Sequence, residues 1–273
     1  MKIFLNSLTL CLLLQGSANP AFSESVAGKD VITLRIMTVV ICQQGGFLQY
    51  LLEPYLAGKK LRVEYSQGHH REVAAAVKRG EVDIAITHTK VKTMQELAAT
   101  GRLINGRTIF ANPKAFLGPR GDPASIGELQ DGAMAMQRIQ ERGFCYVINP
   151  HGEMENLQEQ LLAAGTATRH CVINDVNNVK EALHTAFEQG GYTMWGLHPY
   201  LEKGDGKLEP IVIPDPRLQQ NLAAWVVQGS GVEKEARELV YYLAGDDAKA
   251  AYLKFRFPGY DGIQPWWSPK ESQ

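Results

Sequence analysis

The order of elements legible in the 273-residue chain predicts an α/β protein assembled from parallel β-α-β units. Three observations carry this. Short β-branched apolar runs recur at residues 31–42, 61–65 and 82–87. Each gives way to a polar or glycine-bearing turn and then to apolar residues at helical spacing. A second unit of the same kind follows residue 142. Strands that alternate with helices in this way build doubly wound, mainly parallel sheets.

The elements follow in order. Residues 31–42, VITLRIMTVVIC, form an almost unbroken β-branched run, the pattern of a buried strand. Gln43, Gln44, Gly45 and Gly46 break it, and 47–56 then places Phe47, Leu48, Leu51, Leu52 and Tyr55 at helical spacing. A second strand, 61–65, leads through Ser66, Gln67, Gly68, His69 and His70 into REVAAAVKRG, a helix ended by Gly80. The third strand, 82–87 (VDIAIT), precedes His88 and another helix. Residues 108–119 read as an extended segment, TIFANPKAFLGP, and Asp122 with Pro123 breaks the chain before a helix over 126–142. Then come strand FCYVI at 144–148, the turn Asn149, Pro150, His151, Gly152, and helix 153–164. A helix over 179–189 and a short strand at 192–194 precede Trp195 and Gly196. Strands 208–213 and 222–228 and helices 232–244 and 246–255 complete the pattern, and the tail beyond Pro265 is expected to be a loose end.

The chain starts like an exported protein. Met1 and Lys2, the apolar stretch 3–14 and the small residues Gly16, Ser17 and Ala18 have the layout of a signal peptide spanning about 1–18. The apolar stretch, interrupted by Asn6 and Ser7, is shorter than the ~20 residues of a membrane span. Leu10 before Cys11 does not suit a lipoprotein anchor. A soluble periplasmic protein is the expectation. With 28 basic and 29 acidic residues the formal net charge is -1, so no basic field points to nucleic acid or an anionic membrane. Cys42, Cys145 and Cys171 remain after cleavage. An odd count leaves at least one thiol unpaired, and the sequence leaves open which pair is bridged.

Five of the seven histidines, His69, His70, His88, His151 and His198, fall where a strand gives way to a helix, and Cys42 occupies a similar turn. Ligands of open parallel sheets bind outside the carboxyl ends of the strands, so these turns are expected to line one crevice. Gln43, Gln44 and Asn149 can both donate and accept there, and Trp195 beside Thr193 can wall the pocket. The candidate ligand-binding set is Cys42, Gln43, Gln44, His69, His70, His88, Asn149, His151, Thr193 and Trp195.

Several segments, in this order and spacing, resemble the periplasmic tungstate-binding proteins of ABC transporters. They are GEVDIAITH (80–88), FANPKAFLGPRGDPASI (110–126), GGYTMWG (190–196) and IPDPRLQQNLAAWVV (213–227), and together they cover nearly all the mature chain. The resemblance implies a two-lobed type II periplasmic-binding-protein fold, each lobe a mainly parallel sheet flanked by helices. Lobe 1 is then 31–111, lobe 2 is 112–228, and 229–273 supplies C-terminal helices returning towards lobe 1 and the hinge. It also implies a monomeric receptor, with no cofactor, that closes on a small oxyanion such as tungstate or molybdate and delivers it to an inner-membrane permease. His88 matches a histidine of the family. Two features depart from it. The Thr/Ser-rich first binding turn is replaced by Val39, Val40, Ile41, Cys42, Gln43 and Gln44, and the Ser-Arg pair of the second lobe by Ile148 and Asn149. An anion thereby loses a charge-assisted partner, although amides at helix starts can still hold one.

Other chemistries are weighed against this one. Neutral imidazoles and a thiolate at Cys42, His69, His70 and His151 would suit copper or zinc, alone or as a chelate, and the polar turns would also accept another small polar solute. A cysteine enzyme would need Cys42 activated by a helix terminus and His88 or His151. No hydrolase, zinc-protease or phosphate-loop motif accompanies it, so no catalysis is expected. A sensory receptor without a permease is a further reading. Trp266 and Trp267 are expected to cover lobe surface or touch the permease.

Overall fold

The computed structural model describes residues 31–165 and 170–269; the expected signal peptide lies outside them. The first strand, β1 (Ile32–Val39), turns Leu34 and Ile36 fully inward. It pairs in parallel with β2 (Leu61–Gly68), from Ile32↔Leu61 to Val39↔Gly68. On its other side it pairs in parallel with β3 (Ile84–His88), from Ile36↔Ile84 to Thr38↔Ile86. The crossovers are α1 (Phe47–Leu56) and α2 (His70–Arg79). α1 buries Phe47, Leu48, Leu51 and Leu52 as one stripe. α2 ends where Gly80 adopts φ 69°, a left-handed turn that glycine enters without steric cost.

After α3 (Lys92–Ala99) the chain enters β4 (Leu103–Gly118), 16 residues long and therefore roughly 50 Å of extended chain. That length lets β4 serve two places. Up to Pro113↔Gln219 it lies antiparallel to β9 (Gln219–Val227), which itself lies antiparallel to β3. From Lys114↔Gly196 to Leu117↔Thr193 it pairs with β7 (Thr193–Gly196), and its end also meets β8 (Glu209–Ile211). The sheet order is β2-β1-β3-β9-β4-β7, with β8 off β4. Register shifts at Ile104/Arg107 and Thr108/Phe110 add twist along this strand.

Around the first half, one core gathers Leu34, Ile36, Ile84, Ile86 and Phe110 with apolar faces of α1, α6 (Val179–Glu188), α7 (Leu197–Lys203), α8 (Glu233–Leu243) and α9 (Asp246–Lys254). A second core joins Phe116, Tyr146, Tyr192 and Met194 to α4 (Gly132–Glu141) and α5 (Glu153–Ala164). Beside it β5 (Tyr146–Val147) and β6 (Val172–Ile173) run parallel, and Cys145–Cys171 form a disulfide next to that pair.

Four expectations change. The first strand stops at Val39 and becomes a single 3-10 turn, Val40–Cys42, because the chain must bend to reach α1. The helix expected over 126–142 is a 3-10 turn, Ile126–Glu128, followed by α4 from Gly132. Asp131 caps α4 by accepting from Ala133 and Met134 N–H, and Asp215 accepts from Gly132 N–H at 2.7 Å. α7 and β6 were not legible. The tail is not loose, and Trp266 does not cover the surface. Trp266 is fully buried, stacked 4.2 Å from Phe47 and edge-on to Phe110, while Trp267 exchanges two backbone hydrogen bonds with Ala111.

Candidate functional site

The turn that follows β1 is built from buried amides rather than hydroxyls. Gly45 and Gly46 both take positive φ, and a Cβ on Gly45 would sit 2.9 Å from the Phe257 ring. Only glycine fits that bend. Gln44, 4 % exposed, donates from Nε2 to Glu202 Oε2 at 2.6 Å, and its Oε1 has no partner among the described residues. Gln43 Nε2 is likewise buried without a partner. Cys42 is different. Its thiol is fully buried in the first core, bonded to Thr38, and burial pushes it up to about 12. It stays a neutral thiol, unable to ligate a metal as thiolate or attack as a nucleophile.

His88 ends β3. Its Nε2 lies 3.2 Å from Asn112 Oδ1, and burial lowers it to about 4, so the ring is neutral near pH 7. Two residues on from Asn112 is Lys114, where β4 leaves β9 for β7. Lys114 is 8 % exposed, and its ammonium makes no ion pair or hydrogen bond among the described residues. Burial lowers it to about 8, with Glu153 opposing that shift and Lys90 adding to it. A cation on a side chain this buried is costly, Glu153 offsets part of that cost, and an anion would relieve more of it. His70, Lys114 and Glu153 all act electrostatically on His88, and His88 on His198.

The remaining expected residues divide. Thr193 is buried with its hydroxyl unpartnered, and Trp195 lies between the two main cores. Asn149 is largely engaged within the chain. It donates from Nδ2 to Met194 C=O at 2.8 Å, accepts at Oδ1 from His151 N–H, and its backbone is bonded both ways by Gln158. The second Nδ2 proton has no partner among the described residues and remains a donor. His151 and His69 are exposed, and His69 serves at the start of α2, its N–H donating to Glu72. Among the described residues no group of three or more His, Cys, Asp or Glu side chains could hold a metal ion. The set Cys42, His69, His70 and His151 is therefore not a metal centre here. A neutral core thiol cannot join exposed imidazoles in one shell.

The candidate set does not include Asn112, Lys114, Gln219 or His198. Both ring nitrogens of His198 and both amide atoms of Gln219 are buried without partners. A signal for Lys114 existed: a lone charge inside FANPKAFLG, an otherwise apolar strand.

No protein-family model matches the chain, and no curated protein matches it. Solved structures do. The tungstate-binding protein TupA from Desulfovibrio alaskensis G20 superposes with TM-score 0.68 at 16 % identity, over 88 % of this chain and all of its own. The tungstate ABC transporter structure from Geobacter sulfurreducens superposes with TM-score 0.57 at 18 % identity, over 80 % of this chain and 97 % of its own. The fold is that of the two-lobed type II periplasmic binding proteins.

Proposed function

We propose that the protein is a periplasmic solute-binding receptor of an ABC transporter that takes a small oxyanion between lobe 1 (31–111) and lobe 2 (112–228) and passes it to a permease. The observation that carries this reading is Lys114, a largely buried side chain with no ion pair or hydrogen bond among the described residues, two positions beyond Asn112, the partner of His88, on β4. It supplies the charge absent from Ile148 and Asn149. Around it the unpartnered Gln43 Nε2 and Thr193 hydroxyl offer neutral donors. Likeness of fold to the tungstate proteins supports the same reading. Binding contacts from both lobes favour the closed form, which links capture to recognition by the permease.

Thermal shift and calorimetry of the purified protein against sodium tungstate, molybdate, sulfate and phosphate test it. At a hundred times Kd the bound anion adds about 2.7 kcal/mol of stability, readable as a rise of several degrees in Tm. The rise should vanish in Lys114→Met. An anion response that survives Lys114→Met, or no response to any anion, defeats the proposal.

A further inference from the structure

The face of β4 that carries Lys114 can be followed through the strand register. β3 and β4 both pair with β9, as His88↔Leu222, Phe110↔Leu222 and Asn112↔Gln220. Residues directly opposite each other share a face of a sheet, as do residues two apart along a strand. His88, Phe110, Asn112 and Gln220 therefore lie on one face, and Lys114 is the next residue of that alternation on β4. Phe110 fills the first core at one end of this row. Beyond it the row turns polar, and His88 and Gln220 are only half-buried.

His88 and Asn112 are joined, Nε2 to Oδ1, at 3.2 Å. An amide oxygen only accepts, and the neutral ring has a single N–H, so Nε2 carries the proton and Nδ1 the lone pair. The Asn112 nitrogen is then turned away from His88 with both its protons. Neither Nδ2 nor the Lys114 ammonium has a partner among the described residues, and neither atom is sealed from solvent. Two positions of extended strand separate the Cα atoms of Asn112 and Lys114 by roughly 7 Å, a gap that two side chains and one small anion can bridge.

For an empty chain the reverse orientation of Asn112 would be the better one. Turned over, the carboxamide would place its oxygen on the Lys114 face, where an acceptor near a cation is favoured. As it stands, two donors share a face with that cation and no group of the chain receives them. The bond from His88 selects the donor orientation, and a group made of acceptors completes it. We propose that Asn112 binds the solute through Nδ2 and that His88 is a positioning residue, donating its ring N–H to Asn112 Oδ1 so that the carboxamide offers donors on the face shared with Lys114. This rests on the oxyanion reading and adds to it a binding residue and the residue that orients it.

NMR of isotope-labelled protein and calorimetry test it, with sodium tungstate, molybdate, sulfate and phosphate as probes. The His88 ring should be protonated at Nε2 and bare at Nδ1, and the Asn112 side-chain amide signals should shift with any anion that binds. Asn112→Asp keeps the shape and the acceptor for His88 but replaces both donors with a negative charge, and it should abolish anion binding. His88→Phe should weaken binding roughly tenfold, for one misplaced donor. His88→Gln, whose amide N–H can stand in for that of the ring, should recover most of the loss. An Nδ1–H tautomer of His88, Asn112 amide signals unmoved by a bound anion, undiminished affinity in Asn112→Asp or His88→Phe, or a His88→Gln no better than His88→Phe overturns the inference while the oxyanion reading stands. No response to any of the four anions overturns both. If the variants do not fold, the NMR signals of the unaltered chain decide alone.

Discussion

Replacing Lys114 by Met should make the protein more stable and stop it binding anions. The largely buried Lys114 side chain has no hydrogen-bond partner among the described residues to offset its desolvation, and its proton affinity falls from 10.5 to about 8. At 1.36 kcal/mol per tenfold, that fall corresponds to about 3 kcal/mol of destabilisation while the charge persists. The sign follows from proton counting. Between pH 8 and 10.5 the unfolded chain holds the Lys114 proton and the folded chain has released it, so stability rises with pH across that window. Below pH 8 the full cost is present. Methionine fills a similar volume without charge. Lys114→Met should therefore exceed the unaltered protein by up to about 3 kcal/mol at pH 7, worth roughly 6–12 °C in Tm. The gap should close towards pH 10.5, as urea denaturation at the two pH values would report. Anion affinity of the unaltered protein should likewise fall above pH 8, with proton uptake on binding. A destabilised Lys114→Met, or a gap that does not change with pH, would refute the assignment of Lys114 as an uncompensated buried cation.

Three further outcomes follow from buried groups. His198 and His88, lowered to about 3 and about 4, stay neutral in the fold, so stability is lost as pH drops below 6.5; His198→Phe should remove several kcal/mol of that loss, measured by denaturant titration at pH 7 and 4. The Cys145–Cys171 bond spans 26 positions and should contribute roughly 3–4 kcal/mol, so the Cys145→Ser/Cys171→Ser double variant should show a correspondingly lower unfolding midpoint. Cys42, buried and pushed up to about 12, should resist thiol reagents until denaturant is added, and fast labelling in the native state would contradict its place in the core.

Elements with local causes were legible in the sequence. α1 and α5 occupy their expected residues because apolar spacing and flanking glycines set both ends. The start of α4 was not legible, since Gly132 is held by Asp215, 83 positions away. Trp266 read as tail because its burial is decided by Phe47 and Phe110, remote in sequence. The candidate site divides the same way. Turn position puts His88, Gln44 and Thr193 in the candidate set, but it cannot tell a free amide from an engaged one. Asn149 sits in the expected turn, yet Met194, His151 and Gln158 use all but one of its Nδ2 protons.

The place of Lys114 also bears on closure. A charge in a lobe turn, such as the arginine that the family resemblance implies, meets the solute from one wall. Lys114 instead lies at the point where β4 passes from β9 to β7. If the protein takes an anion as proposed, Lys114 would attract it from there before the walls meet and would not by itself favour a closed form, since a ligand shifts an equilibrium only through contacts that differ between states. Discrimination must then come from the neutral groups that meet on closure. Gln44, held by the Glu202 carboxylate at 2.6 Å with its own Oε1 unpartnered among the described residues, is a neutral group that can serve in this way. Under this division Lys114→Met abolishes capture, whereas Gln44→Leu leaves weak anion binding but reduces the accompanying compaction. Small-angle scattering with and without phosphate separates the two effects, and equal compaction in Gln44→Leu and the unaltered chain would assign closure elsewhere.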